Sequence, residues 1–111
     1  MNRSELLSLH DELCTEAKKI MEVKNHDYAG GKHTHEPFAN FTRVESMGIT
    51  TTQKGLLVRM TDKMSRLSTF CQEGEFMVKD ESLRDTIIDL MNYGVLLYGY
   101  TISKDSDQGG K

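Results

Sequence analysis

Apolar residues recur at intervals of three and four in three separate segments, and this spacing constrains the fold more than any other feature of the sequence. In the first segment they occupy positions 6, 9, 13, 17 and 20. The same spacing returns within residues 57–71 and 83–102. Apolar side chains at this period line one face of an α-helix, and the sequence contains no strand-like alternation flanked by turn residues. We therefore expect an all-α fold with three main helices.

Residues that favour helix ends delimit these segments and add a short helix. Ser4 can cap a first helix that ends near residue 24. Pro37 fits the first turn of a short helix that follows. Thr50 to Thr52 can cap the next main helix, which Gly74 would end.

The last helix also carries a start signal. Asp80 can cap it, and Ser82-x-x-Asp85 resembles a capping box. Its apolar stripe and that of the preceding helix should face the core. The predicted core positions are Leu57, Met60, Met64, Leu67 and Cys71 in the helix that begins near residue 52, and Leu83, Ile87, Met91, Val95, Tyr98 and Ile102 in the last helix.

The size of the chain limits how much it can bury alone. With 111 residues, of which 37% are hydrophobic, it can build one modest core. We expect a single helical domain over residues 1–102 and a flexible tail over residues 103–111. Further apolar residues in the second half of the last helix should be covered by another copy of the chain, so that oligomerisation completes the bundle. These residues are Leu90, Leu96, Leu97 and Tyr100.

Charge and composition exclude several functional classes. The net charge of −3 argues against bulk binding of DNA or RNA, which usually requires a strongly basic face. No apolar run approaches the roughly 20 residues that span a bilayer, and the polar residues 1–9 do not resemble a secretory signal. Cys14 and Cys71 lie far apart and form neither a disulfide framework nor a zinc knuckle. We expect a cytoplasmic protein with reduced thiols.

Three acidic residues share one face of the last helix. Glu81, Asp85 and Asp89 are spaced four residues apart, and Asn92 falls in the same arc. Like charges at this spacing repel unless a cation lies among them. Mg²⁺ is one such cation, because it prefers a few carboxylates together with waters and phosphates. A basic side chain of a neighbouring helix and a solvated acidic face are the alternative explanations.

Basic residues share one face of the preceding helix, away from its apolar stripe. Arg59, Lys63 and Arg66 lie there together with Asp62. Such a face can hold phosphate oxygens, Arg in a bidentate manner and Lys as a point charge. Alternatively, these residues form salt bridges with the acids of the last helix.

The end of the first helix and the segment after it offer a third candidate. Lys24 can contact a phosphate, Asn25 can hydrogen-bond a base edge, and Tyr28 provides a ring on which a base can stack. The alternative is a helix end with ordinary turn residues. His33 and His35 have the residue type of metal ligands, but no HExxH pattern or nearby cysteine accompanies them, which favours a solvated loop.

Four sequence blocks resemble those of a known family. They are KNHDYAGG, EPFANF, RMTDKMSRL and DESLRDTIIDLMNYGVLL. They are similar to the K-N-x-D-Y, F-x-N-F, R-x-x-D-K-x-x-R and E-S-x-x-D-T-x-x-D-L-x-x-Y blocks of the phage and bacterial nucleotide modification associated domain family. The resemblance covers residues 20–98 and implies a small helical protein from phage nucleotide metabolism, acting in the host cytoplasm.

A more distant similarity is to the MazG-like all-α nucleoside triphosphate pyrophosphohydrolases, which hold Mg²⁺ between two helices with two acidic motifs. Glu81 and Asp85 match the second motif, E-x-x-x-D, and the similarity implies that these two residues are catalytic. The first motif, E-E-x-x-E, is missing, because its equivalent retains only Asp62 as a carboxylate. An enzyme of this kind would hold Mg²⁺ with Asp62, Glu81 and Asp85, and Asp89 is a further candidate ligand.

Three functions follow from these observations. The first is a Mg²⁺-dependent pyrophosphohydrolase, in which the acids hold the metal and Arg59, Lys63 and Arg66 neutralise the phosphates. The second is a protein that sequesters a nucleotide or cyclic nucleotide from host defence without turnover, using the same basic residues with Lys24 and Tyr28. The third is a module that binds another protein through its helical faces.

Overall fold

The computed structural model of the protein describes residues 1–28, 36–74 and 82–109, with all side chains there except those of residues 25–28 and 107–109. The described residues form four α-helices and no strand, which confirms the all-α fold with three long helices and one short helix. None of these helices combines the length and apolarity needed to cross a bilayer. The helices are α1 (Arg3–Tyr28), α2 (Ala39–Ser46), α3 (Thr52–Glu73) and α4 (Leu83–Gly109).

The first helix begins at a different cap from the one predicted. The Asn2 side chain, not that of Ser4, accepts a hydrogen bond from the Glu5 backbone N–H at 2.9 Å. The Glu5 carboxylate in turn accepts from the Asn2 backbone N–H at 3.2 Å. This reciprocal pair is a capping box, in which Asn serves as well as Ser, so the helix starts before Ser4. Its other end also lies beyond the predicted residue 24, at Tyr28.

The predicted ends of α3 and the start of α4 are confirmed. The Thr51 hydroxyl accepts from the Lys54 backbone N–H at 3.1 Å, and Gly74 ends α3 with a φ of +79°, which favours glycine. At the start of α4, the Asp85 backbone N–H donates to Ser82 Oγ at 3.0 Å, and the Ser82 N–H donates to Asp85 Oδ2 at 3.3 Å. This is the capping box that the sequence indicated. Asp80 lies outside the described residues.

The end of α4 differs from the prediction. The helix continues to Gly109 instead of giving way to a tail after residue 102. Residues 103–108 are polar, but none is Gly or Pro, so nothing in this stretch breaks the helix. A polar sequence at the end of a helix therefore marked the loss of its apolar face and not the end of the helix itself.

The helices pack around α4, which contacts both α1 and α3, while α2 packs on α3. Phe41 of α2, Leu56 of α3 and Leu96 of α4 form the buried centre of this packing. Met21 and Tyr93 pack against them. This core joins all four helices. The charged side chains of Lys24 and Asp89 lie beside it.

The apolar stripe of α3 faces the core only in part, because Met60 and Leu67 are half-buried while its other three members are exposed. Leu57 is 49% exposed and Met64 is 54% exposed, and Cys71 is also exposed. The buried residues of α3 are Thr52 and Leu56 instead, on the face that points to α2 and α4. The face of α3 that carries Thr52 and Leu56 is therefore the one that packs within the chain.

The apolar stripe of α4 is likewise turned outward over its second half. Val95 is 60%, Tyr98 is 69% and Ile102 is 48% exposed. Ile88 and Leu96 are buried instead, and Leu96 is one of the residues expected to be covered by another copy. The periodicity identified an apolar face correctly, but α4 has apolar residues around most of its circumference, so it could not show which part meets α1 and α3.

Candidate functional site

A carboxylate held by two lysines from different helices is the centre of the candidate site. Lys24 Nζ of α1 lies 3.2 Å from Asp89 Oδ1, and Lys63 Nζ of α3 lies 3.1 Å from Asp89 Oδ2. The side chains of Lys63 and Asp89 are only 13% and 19% exposed, whereas that of Lys24 is 49% exposed. The sequence placed these three residues in three separate candidate groups, and the fold joins them in one cluster across α1, α3 and α4.

A small pocket opens beside this cluster. Its volume is about 30 Å³, which is room for one or two water molecules. Sequence reasoning did not anticipate its apolar walls, because Met21, Phe41 and Tyr93 come from three helices whose relative positions no periodicity reveals. Its lining consists of Met21, Lys24, Phe41, Asp89, Asn92, Tyr93 and Leu96.

Asn92 fixes one wall of the pocket. Its Nδ2 donates a hydrogen bond to the backbone carbonyl of Ala17 in α1 at 3.0 Å. Asn92 lies three residues after Asp89 on the same face of α4, so this bond holds α1 close to the carboxylate and its two lysines. The acidic arc of α4 that the sequence indicated thus faces α1 and α3 at this level.

The two arginines of α3 have different surroundings. The guanidinium of Arg59 lies over the ring of Phe41, with its central carbon 4.8 Å from the ring centroid. This is a cation–π contact that holds Arg59 next to the pocket wall. Arg66 forms an ion pair with Asp62, one turn earlier on the same helix, at 3.4 Å. The side chain of Asp62 is 62% exposed, so this pair lies at the surface.

The predicted metal ligands do not converge in the part of the chain that the structure describes. Asp85 is exposed and its carboxylate takes part in the capping box of α4, Asp62 pairs with Arg66, and Asp89 lies between two lysines. Among the described residues, no three His, Cys, Asp or Glu side chains are grouped so that they could hold a metal ion. Asp62, Asp85 and Asp89 are thus each engaged by a different partner, and Glu81, the remaining predicted ligand, lies outside the described residues.

Several predicted residues fall outside what the structure describes. Glu81 is among them, as are the side chains of Asn25 and Tyr28 and the loop with His33 and His35. Their roles stay predictions.

A second ionic cluster, which sequence reasoning missed, joins α1 to α4 at the surface. The Arg84 guanidinium donates through Nε to the Glu16 carboxylate at 2.7 Å, and its Nη2 lies 3.4 Å from Glu12. The hydrogen bond to Glu16 and the negative charges of both glutamates raise the pKa of Arg84 above its ordinary value. The signal was present, since Glu12 and Glu16 lie one turn apart on α1 and Arg84 is the one cation at the start of α4.

Comparisons with known proteins leave the family open. No family model matches the chain, and neither a curated protein nor a solved structure does.

Proposed function

We propose that this chain is a phage-type nucleotide-binding protein that holds phosphate oxygens with Lys24 and Lys63 and does not hydrolyse its ligand. The observation that carries the proposal is the position of Asp89, whose carboxylate accepts from both lysines at 3.1–3.2 Å. The ammonium groups of Lys24 and Lys63 come from different helices and already converge on one carboxylate. The same arrangement suits a phosphate of a ligand, which carries more negative charge than the carboxylate.

Burial supports a specific anion site at this place. Lys63 is largely removed from water, so its charge is poorly screened and interacts strongly with a nearby anion. Lys24 is half exposed and lies at the open side of the cluster. A ligand can therefore approach past Lys24 and place a phosphate beside Lys63.

The rest of the ligand would lie over the mouth of the pocket. The pocket itself holds only water-sized groups, so it cannot enclose a base. Arg59 is fixed on Phe41 close to this mouth and adds a third positive charge. By residue type, Asn25 and Tyr28 would contact the base, and Arg66 would contact a more distant phosphate.

The same geometry favours binding over a MazG-like pyrophosphohydrolase. Hydrolysis with Mg²⁺ requires several carboxylates at one place. Asp62 and Asp85 are engaged elsewhere, by Arg66 and by the helix cap. The proposed protein is a sequestering one, in the cytoplasm of the host cell and as a homo-oligomer.

A ligand panel tests the function. We expect nucleoside triphosphates or cyclic nucleotides to raise the Tm of the protein equally in Mg²⁺ and in EDTA, and the bound nucleotide to be recovered intact after denaturation. Release of pyrophosphate that requires Mg²⁺ and is lost in Glu81→Ala would instead establish the enzyme. The absence of any nucleotide effect on Tm would favour the protein-interaction module.

Substitution of Asp89 separates a phosphate site from a metal site. In a phosphate site the Asp89 carboxylate competes with the ligand for the two lysines, so Asp89→Asn should tighten nucleotide binding severalfold. In a metal site the carboxylate is a ligand, and the same change should abolish Mg²⁺-dependent binding.

Lys63→Ala should weaken binding about tenfold or more, because a charged hydrogen bond contributes about 1.5–3 kcal/mol. Asp11→Asn, at an exposed position of α1 outside the proposed site, is the matched control and should leave the Kd unchanged. Isothermal titration calorimetry gives these Kd values.

A further inference from the structure

An uninterrupted apolar face runs along the outside of α4. It consists of Ile87, Met91, Val95, Tyr98 and Ile102, which follow at steps of four, four, three and four, and it is called here the outer face of α4. The first two side chains are half-buried and the last three are between 48% and 69% exposed.

The second half of this face is exposed within one chain, as the accessibilities of Val95, Tyr98 and Ile102 show. The side-chain hydrogen bonds that join α1 to α4 connect residues 12–24 of α1 with residues 84–92 of α4. Val95, Tyr98 and Ile102 lie beyond that stretch. A cluster of large apolar side chains without cover is unusual on a monomer and marks a surface that meets another molecule.

The whole chain exposes more surface than a compact monomer of its size. Its accessible surface is 8203 Å², whereas a folded monomer of 12.6 kDa exposes about 6,200 Å². Its radius of gyration is 16.2 Å, against about 13 Å for a compact domain of this length. A standard interface buries roughly 800 Å² of each partner, so less than half of the excess of about 2,000 Å² is enough to form one.

The charge pattern indicates what covers the face. Between residues 86 and 103 of α4 the one charged residue is Asp89, and it is held by Lys24 and Lys63. An uncharged apolar face is not suited to an acidic peptide or a lipid headgroup. It is suited to an identical face. In a two-fold interface the same patch of both copies meets, so a charge in the patch would repel the same charge of the partner.

We propose that a second copy of this chain covers the outer face of α4, so that the protein is a homodimer or a higher assembly built on α4–α4 contacts. This assigns an interface, and it depends on neither the ligand nor the proposed nucleotide binding. The second copy supplies the cover that α4 lacks in its own chain.

Sedimentation equilibrium of the full chain tests the interface. The wild type should have at least twice the chain mass of 12.6 kDa at micromolar concentration. Val95→Glu combined with Tyr98→Glu should convert it to a monomer with retained helical circular dichroism, because both side chains are exposed within one chain. Val23→Glu is the matched control, since Val23 of α1 is 62% exposed and Val95 is 60% exposed, and it should leave the assembly intact. A wild-type monomer, or an unchanged assembly of the double variant, overturns the proposal.

A second measurement uses the wild type and does not depend on whether the double variant folds. Tyr98 is 69% exposed in one chain, whereas Tyr93 and Tyr100 are half-buried. In hydroxyl-radical footprinting, Tyr98 should be protected to at least the level of the other two at high protein concentration. If Tyr98 is labelled much more than Tyr93 and Tyr100, the outer face of α4 is open to water and the proposed interface is wrong.

Discussion

The backbone of α3 lies close to α2 at Gly55. A Cβ at this position would lie 2.9 Å from Cγ2 of Val44, a distance that forces one of the two to move. Overpacking usually costs about 1–3 kcal/mol, whereas Ala favours a helix by about 1 kcal/mol over Gly, so Gly55→Ala should lower the free energy of unfolding by up to about 2 kcal/mol. Urea denaturation followed by circular dichroism, at one fixed protein concentration, measures the change.

Two further variants isolate the contact as the cause. Gly99→Ala in α4 is the control, because its Cβ would meet Phe38 at 3.5 Å, an ordinary contact, so stability should stay or rise. Val44→Ala should relieve the clash, so that the double variant loses less than the two single changes together. A Gly55→Ala protein that is more stable than the wild type by about 1 kcal/mol, as helix propensity alone predicts, would contradict the close packing of α2 on α3.

The residues of the candidate site show how far sequence reasoning reaches at this scale. Helical spacing placed Lys63 and Asp89 on defined faces, and residue type indicated a site for anions. The spacing gave an angle around each helix axis but no neighbour, so it could not show that Asp89 meets Lys24 and Lys63. Pairings of this kind depend on how helices cross, which local sequence does not determine.

The helix ends are set by local chemistry, and α4 offers the clearest test. Ser82 Oγ accepts from the Asp85 backbone N–H, which would otherwise have no partner inside the helix. Ser82→Ala should cost about 1 kcal/mol of stability, as is usual for a lost N-cap, with no change in nucleotide Kd. Ser65→Ala, an exposed position inside α3, is the control and should be neutral or slightly stabilising. Chemical denaturation and calorimetry measure the two quantities, and a loss of nucleotide binding in Ser82→Ala would connect the start of α4 with the ligand.

The elements themselves were largely predictable and their orientation was not. Thr51, Gly74 and Ser82 act at helix ends as their residue types indicated, because capping involves only neighbours along the chain. The apolar stripes of α3 and α4 were predicted to face the chain's own core, yet Leu57 and Tyr98 are exposed. Periodicity shows that a face avoids water, and it does not distinguish cover by the same chain from cover by another molecule.

At the level of the whole molecule, the small core and the open outer face of α4 have a thermodynamic consequence. The buried apolar residues of the described chain number five, which is little for a domain of this size. If a second copy covers the outer face, part of the stability comes from association, and the folded state is favoured by mass action as the protein concentration rises.

The Tm of the wild type should therefore increase with protein concentration. Across a hundredfold range, mass action adds roughly 2.7 kcal/mol to a bound state, which corresponds to a rise of several degrees for a chain of this length. The Val95→Glu, Tyr98→Glu double variant should melt lower and at the same temperature throughout the range, because a monomer has no concentration term. Differential scanning calorimetry at matched scan rates measures both, with Val23→Glu expected to follow the wild type. A wild-type Tm that is independent of concentration would mean that the chain folds alone and that its exposed apolar face contributes nothing to its stability.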